Sequence, residues 1–239
     1  MTSSARIGAW CSTGSVHVAE LLDAAGFDYV CVDCQHGLSG GGADALPALL
    51  GVRRSVPVVR VPSNDGGWIG RALDTGAHAV IVPMVASADD ARRAARACRY
   101  APDGVRSWGT NRSSLSGTPA EVNAAVACYV MVETREAVDC ADAIAATAGV
   151  DGIYLGPADL AVSMGSAPGG GDDDVEKAIE RVRVACADAG IVAGIQANGG
   201  EDARRRVDQG FDMVTVATDV ALLRAALADA LRTARNPRG

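Results

Sequence analysis

The chain has 239 residues, 49% hydrophobic and 21% charged, which suits one large α/β domain with a sizeable core. A formal net charge of -7, with Lys and Arg scattered along the predicted helices, leaves no basic footprint and argues against nucleic acid as a partner. No segment approaches the roughly 20 apolar residues of a membrane helix, and the start MTSSARIGAW has no apolar signal core, so a soluble, cytoplasmic protein with no membrane partner is expected.

In chain order, Arg6 to Trp10 predicts a strand and Ser15 to Ala25 a helix. FDYVCVD holds the second strand, followed by Asp33-Cys34-Gln35-His36-Gly37 and a helix from Ala43 to Arg53. Val56 to Val61 is the third strand, Gly67 to Asp74 a helix, AHAVIVPM the fourth strand, and Ala88 to Cys98 a helix. Arg99 to Pro119 then breaks the rhythm. It is rich in Gly and Ser, about three times longer than an ordinary βα loop, and carries Arg106, Trp108, Asn111 and Arg112; a lid or an intersubunit contact is expected. Cys128 to Val132 is the fifth strand, Arg135 to Ala146 a helix, and VDGIYLG the sixth strand. A surface turn from Met164 to Asp173 leads to a helix from Asp174 to Ala189, strand IVAGIQ, a helix from Glu201 to Gln209, strand FDMVTVA, and a last helix from Val220 to Ala234.

One unit recurs: an Ala-rich helix, a glycine, then a short apolar strand. Gly26, Gly76, Gly149, Gly190 and Gly210 stand where the residue after a helix turns left-handed. Eight strands alternating with eight helices predict a single-domain (β/α)8 TIM barrel over residues 1–239 in preference to an open doubly wound sheet. The seven cysteines have no framework-like spacing, and the Cys31–Cys34 pair has no second pair or His pair to complete a zinc site, so reduced core thiols are expected.

Active sites of such barrels lie at the C-terminal ends of the strands, so the polar residue after each apolar run is the informative one. Glu133 follows the fifth strand and Asp159 the sixth, and a parallel crossover brings both carboxylates to the same edge. Their repulsion is relieved by a cation or a shared proton. Oxygen ligands without a His-x-His motif favour Mg2+ or Mn2+ over Zn2+, with Co2+ as a substitute. Gly156-Pro157-Ala158 reads as a helix start whose free N–H groups would seat a substrate carboxylate beside the metal. Arg60, ending VPVVR, needs an anionic partner if buried: a substrate carboxylate, an enolate, or Asp33. Asp33 alone reads equally as a turn cap, and a lone loop histidine such as His36 is ordinarily a surface residue. Lysine is nearly absent. Lys177 is the only one, on the polar side of a helix, so a Schiff-base mechanism has no candidate and carbonyl activation falls to metal and arginine.

Together, GFDYVCVDCQHG, VVRVP, LDTGAHAVIVPMV, RYAPDGVRS, MVETREAV and GVDGIYLGPADLAVSMG resemble the HpcH/HpaI family of class II, pyruvate-dependent aldolases, in order and over most of the chain. Within it the likeness is to 4-hydroxy-2-oxoheptanedioate and 2-keto-3-deoxy-sugar-acid aldolases. The resemblance implies a (β/α)8 barrel in a homo-oligomer, a trimer or a hexamer built from trimers, with the final helix exchanged between neighbours. It implies Glu133 and Asp159 as metal ligands, the Ala158 N–H as a substrate contact, His36 as the catalytic histidine, Asp74 as the acid that raises its basicity, and Arg60 as the cation on the enolate oxygen. Two departures are Gln35, where an acid often precedes the histidine, and Met131, where some members carry a glutamine that touches substrate.

The expected reaction is cleavage or formation of a 4-hydroxy-2-oxo acid through a pyruvate enolate, with an aldehyde as the second partner. His36, or a metal-bound water that it activates, would move the proton. Rival readings are decarboxylation of oxaloacetate, transfer of the enolate to another acceptor, and a homologue that binds 2-oxo acids without catalysis. Action on a CoA thioester is disfavoured by the lack of an extra domain or a basic groove.

Overall fold

In a computed structural model, residues 5–38, 45–109, 117–169 and 171–235 are described. Eight parallel strands pair in sequence order and close, β8 returning to β1. They are β1 Arg6–Cys11, β2 Tyr29–Asp33, β3 Val56–Arg60, β4 Ala79–Val82, β5 Ala127–Val132, β6 Gly152–Leu155, β7 Val192–Gln196 and β8 Met213–Thr218. The helices around them are α1 Val16–Ala24, α2 Leu46–Gly51, α3 Gly66–Asp74, α4 Ala88–Cys98, α5 Pro119–Ala125, α6 Arg135–Asp139, α7 Ala141–Ala145, α8 Pro157–Ser163, α9 Asp173–Ala189, α10 Gly200–Asp208 and α11 Asp219–Arg235. This is the expected (β/α)8 TIM barrel. No helix among the described residues is long and apolar enough to cross a membrane.

The glycine punctuation works as the repeat predicts. Gly26, Gly76, Gly149, Gly190 and Gly210 all take positive φ, between 71° and 106°, where a helix hands over to the next strand. Several boundaries differ from expectation for local reasons. α2 is shorter than Ala43 to Arg53, ending where Val52 turns extended, and Ala43 and Asp44 lie outside the described residues. The predicted Arg135–Ala146 helix divides at Cys140, which ends α6 and starts α7. An unforeseen helix, α5, follows the long loop, opened by Thr118 and Glu121, whose side chains each bond the other's backbone N–H, with Pro119 in the first turn. Asn111 and Arg112 of that loop lie outside the described residues.

Alternation along the strands sorts the apolar residues into two sets. One fills the space between barrel and helices. The other, Trp10, Tyr29, Cys31, Val58, Ala79, Ile81, Tyr129, Met131, Tyr154 and Met213, fills the barrel itself. Three tyrosine rings occupy that interior opposite glycines on neighbouring strands. A Cβ at Gly8 would lie 2.2 Å from the Tyr29 ring, one at Gly194 would lie 2.8 Å from the Tyr154 ring, and one at Gly152 would lie 2.9 Å from the Tyr129 ring. Large residues therefore sit only where an adjacent strand supplies none. All seven cysteines are free and six are buried, Cys31 within the barrel, as expected of core thiols.

α11 does not complete the ring of helices in the manner of the others. Asp219 is its only buried residue, and Leu222, Leu223, Leu227 and Leu231 are 45% to 60% exposed. Its start is nonetheless anchored: the Asp219 carboxylate accepts the Ser12 and Thr13 N–H groups at 2.8 and 3.0 Å and the Thr13 hydroxyl at 2.7 Å.

The interior packing makes a direct prediction. Gly8→Ala should destabilise the fold by about 1–3 kcal/mol, because the Tyr29 ring it would strike is buried and cannot retreat. For a domain of this size that is a fall in Tm of about 3–10 °C in a thermal melt; an unchanged Tm would show that the interior is loosely filled.

Candidate active site

The period of two that places Tyr29, Cys31 and Val58 inside the barrel also carries Asp33 and Arg60 inward, one residue pair nearer the C-terminal edge. The β2–β3 register sets Asp33 directly beside Arg60. The guanidinium then forms a fork, Nε to Asp33 Oδ1 at 2.9 Å and Nη2 to Oδ2 at 2.7 Å, and both residues are buried. The face of the guanidinium lies over the Trp10 ring, 4.4 Å from its centroid. Asp33 also accepts the N–H groups of Gln35 and His36 at 3.0 and 3.2 Å, so it both holds the arginine and shapes the loop that carries the histidine. Burial works against its charge, but Arg60 and those two N–H groups outweigh it and hold the carboxyl below the usual range.

Glu133 stands just past β5, 2% exposed, and its Oε1 accepts the Met84 N–H at 2.6 Å. Met84 is the one residue other than glycine with positive φ (55°) among those described, and it follows β4. A backbone in a sparsely populated region, donating to a buried carboxylate, is local strain held in place by its surroundings. Burial pushes the Glu133 carboxyl up, and the charge of Asp159 adds to it; the Met84 N–H, Arg60 and His36 pull the other way. Asp159, Arg60 and His36 thus each lie within electrostatic reach of Glu133. Asp159 is exposed, in the first turn of α8, a helix with no side-chain cap and Pro157 at its start. A Cβ at Gly156 would meet Glu133 Oε2 at 2.9 Å and the Met131 side chain at 3.1 Å, so only glycine leaves the carboxylate room.

The donor set fits a hard divalent cation that takes few protein ligands. No group of three or more His, Cys, Asp or Glu poised for a metal occurs among the described residues. Two carboxylates, one of them buried and destabilised as an anion, suit Mg2+ or Mn2+, which keep water and substrate oxygens in their remaining positions, better than a four-ligand zinc site.

Within the chain, the structure does not bring Asp74 and His36 together. α3 starts beyond the C-terminal end of β3 and runs about 13 Å toward the N-terminal edge of the barrel, carrying Asp74 away from the rim. There its Oδ1 accepts Arg106 Nη2 at 2.6 Å. The His36 ring is exposed and makes no hydrogen bond to a described residue. Arg106, from the long loop, is buried against Tyr100, whose ring packs on Trp108 with centroids 4.8 Å apart. Lys177 is 74% exposed in its side chain and paired with Asp174 at 2.8 Å, a solvated lysine with no route to a Schiff base. Asp33 was open to two readings in the sequence; Arg60's need for an anion was the signal. Met84 and Trp10 left no mark, since neither a strained φ nor an indole under a cation alters the hydrophobic pattern.

The Asp33–Arg60 fork sets a stability test. Asp33→Asn should cost about 3 kcal/mol in chemical denaturation, because it strands a buried guanidinium. Asp33's folded pKa is depressed, so its stabilisation is complete above about pH 3.9, the unfolded value, and is lost as pH falls through the lower folded value. The variant should therefore lose less stability than wild type below about pH 4; parallel pH profiles would remove the ion pair from the account.

The model of the HpcH/HpaI aldolase/citrate lyase family matches residues 6–226. The 5-keto-4-deoxy-D-glucarate aldolase of Escherichia coli O6:H1 is 35% identical over 228 residues, covering 92% of this chain and 89% of the relative. That of Klebsiella pneumoniae subsp. pneumoniae is 35% identical over 237 residues, covering 95% and 92%. Among solved structures, an HpcH/HpaI aldolase/citrate lyase family protein from Burkholderia cenocepacia J2315 superposes with a TM-score of 0.91 at 37% identity, covering 98% of this chain and 95% of that one.

Proposed function

The chain belongs to the HpcH/HpaI aldolase/citrate lyase family, and from that premise we propose that it is a divalent-metal-dependent class II aldolase acting on 4-hydroxy-2-oxo acids through a pyruvate enolate. The observation that carries the reading is the buried Glu133 carboxylate, destabilised by burial and by Asp159, in a chain whose only lysine is solvated. The relatives' names supply the substrate class. In 5-keto-4-deoxy-D-glucarate the keto group adjoins a carboxylate, the next carbon is deoxygenated, and the one after bears a hydroxyl. Counted from that carboxylate, it is a 4-hydroxy-2-oxo acid, and its retro-aldol cleavage yields pyruvate and a three-carbon aldehyde acid.

Glu133 and Asp159 would hold Mg2+ or Mn2+, with Co2+ as a substitute. When bound, the cation draws electrons from a chelated 2-oxo acid and so makes its C3 protons removable. The uncapped first turn of α8, from Gly156 through Pro157 to Ala158, seats the substrate carboxylate on the Ala158 N–H. Arg60, fixed by Asp33, keeps Nη1 outside the fork and places its charge where the C2 oxygen becomes an enolate. His36, exposed at the mouth, takes the 4-hydroxyl proton in cleavage and returns a proton at C3; the C3–C4 bond breaks, its electrons pass to the C2 oxygen, and the aldehyde leaves. The buried Met131 contacts the underside of this seat, which makes it a candidate for tuning the substrate.

Treatment with a chelator should abolish pyruvate release from 5-keto-4-deoxy-D-glucarate, Mg2+ or Mn2+ should restore it, and borohydride with pyruvate should leave activity intact. Inactivation by borohydride would refute the reading.

We also propose that the protein works as a homo-oligomer, a trimer or hexamer, in which α11 packs on a neighbouring barrel. The exposed leucine face on an anchored helix supports this. Leu227→Glu should lower the mass in sedimentation equilibrium; a wild-type mass would leave α11 outside the interface.

A further inference from the structure

Beneath the Asp33–Arg60 fork lies a group of polar side chains that the reaction does not call for. Thr215 of β8 is fully buried, and its Oγ1 lies 2.7 Å from the Tyr29 hydroxyl and 2.6 Å from the Tyr154 hydroxyl, joining β2, β6 and β8 across the barrel interior. Phenylalanines and a valine would fill the same volume with no polar group to satisfy, and packing alone does not ask for hydroxyls there. What the hydroxyls add is direction: each bond fixes where a ring ends and thereby the tilt of its plane. Both rings are also confined laterally, Tyr29 by the backbone of Gly8 and Tyr154 by that of Gly194.

The next contact upward is Trp10. Its ring centroid lies 5.6 Å from that of Tyr154 with the planes 31° apart, and its Nε1–H is buried without a hydrogen-bond partner among the described residues. No polar bond of its own orients the indole, so its plane is set by what it packs on. The Arg60 guanidinium rests on that ring at 4.4 Å. The Asp33 fork restrains Arg60 within its plane but leaves rotation about the fork; a ring against the flat face removes that freedom.

We propose that Thr215, Tyr29, Tyr154 and Trp10 are positioning residues that hold the Arg60 guanidinium at the angle its enolate contact needs. The inference rests on the aldolase reading and on the role of Arg60 within it. It differs from a merely structural core in where a defect is felt. A loosened layer should reach the reaction through Arg60 alone, lowering kcat while binding of the ground-state 2-oxo acid is kept.

Thr215→Val deletes the hydroxyl and keeps the shape. It should lower kcat for both cleavage and C3 proton exchange of pyruvate by about tenfold to a hundredfold, with KM within about twofold, while Thr215→Ser restores wild-type rates. The deciding measurement is a double-mutant cycle with Arg60→Lys, which keeps the charge and loses the planar fork. In that background Thr215→Val should change kcat by less than about twofold. If Thr215→Val fails to fold, Tyr154→Phe carries the same test. Full multiplication of the two losses, or a rise in KM with unchanged kcat, overturns the positioning role and leaves the aldolase reading intact. Unchanged kcat in Arg60→Lys overturns the reading of Arg60, and the inference with it.

Discussion

The buried Asp33–Arg60 ion pair is the constraint on which the rest of the site depends. Two charges removed from water are costly, and their attraction offsets that only when the geometry is good and the remaining hydrogen-bonding groups are satisfied. Here the pair sits on adjacent strands in register, joined by two parallel hydrogen bonds, with two further loop N–H groups on the same carboxylate. A lone arginine at this depth would be forced toward the nearest anion or toward solvent. With Asp33 in place it remains fixed, charged and partly uncommitted, which is the state an enolate-stabilising cation needs before substrate arrives.

The same pair explains the division of labour around the rim. Glu133 and Asp159 concentrate negative charge on the β5–β6 side, where the Glu133 carboxyl is pushed up by burial and by its neighbour. Asp33 and Arg60 cancel one another on the β2–β3 side. A 2-oxo acid is itself an anion and could not approach two unscreened carboxylates. In the proposed reaction, a cation held by them, with the first turn of α8 behind and Arg60 across the mouth, would reverse the local sign where charge develops. A site built this way has no need of a lysine, and the only lysine in the chain is solvated on α9.

Most of the fold was legible because a barrel repeats its rules. Helix, glycine and apolar strand recur, and the period of two along each strand assigns every residue to the interior or to the helix layer. Asp33, Arg60 and Glu133 could be picked out because polar residues ending apolar strands contradict the pattern that surrounds them. Where the signal was local and conformational, it was invisible: Met84 has an ordinary residue type in an extraordinary φ, and Trp10 looks like any core aromatic. α5 was missed because it directly follows a stretch whose Gly and Ser content drew attention away from the capping pair Thr118 and Glu121. Asp74 is a different case. Its motif matched, but a motif carries no direction, and α3 takes it down the barrel wall to Arg106.

The barrel interior then poses a question of economy that bears on how such sites evolve. Hydrophobic filling stabilises a core at little risk, whereas each buried hydroxyl must find a partner or destabilise the fold. A tyrosine–threonine–tyrosine group with every hydroxyl bonded escapes that penalty, but it ties three strands to one arrangement, and both bonds run through Thr215, so losing that hydroxyl removes the partner of each tyrosine at once. Beside it, the Trp10 indole N–H is buried without a partner among the described residues. A core selected for stability alone would have replaced that indole with an apolar side chain. The indole lies directly under Arg60, where its aromatic face gives the guanidinium a contact that an aliphatic side chain would not.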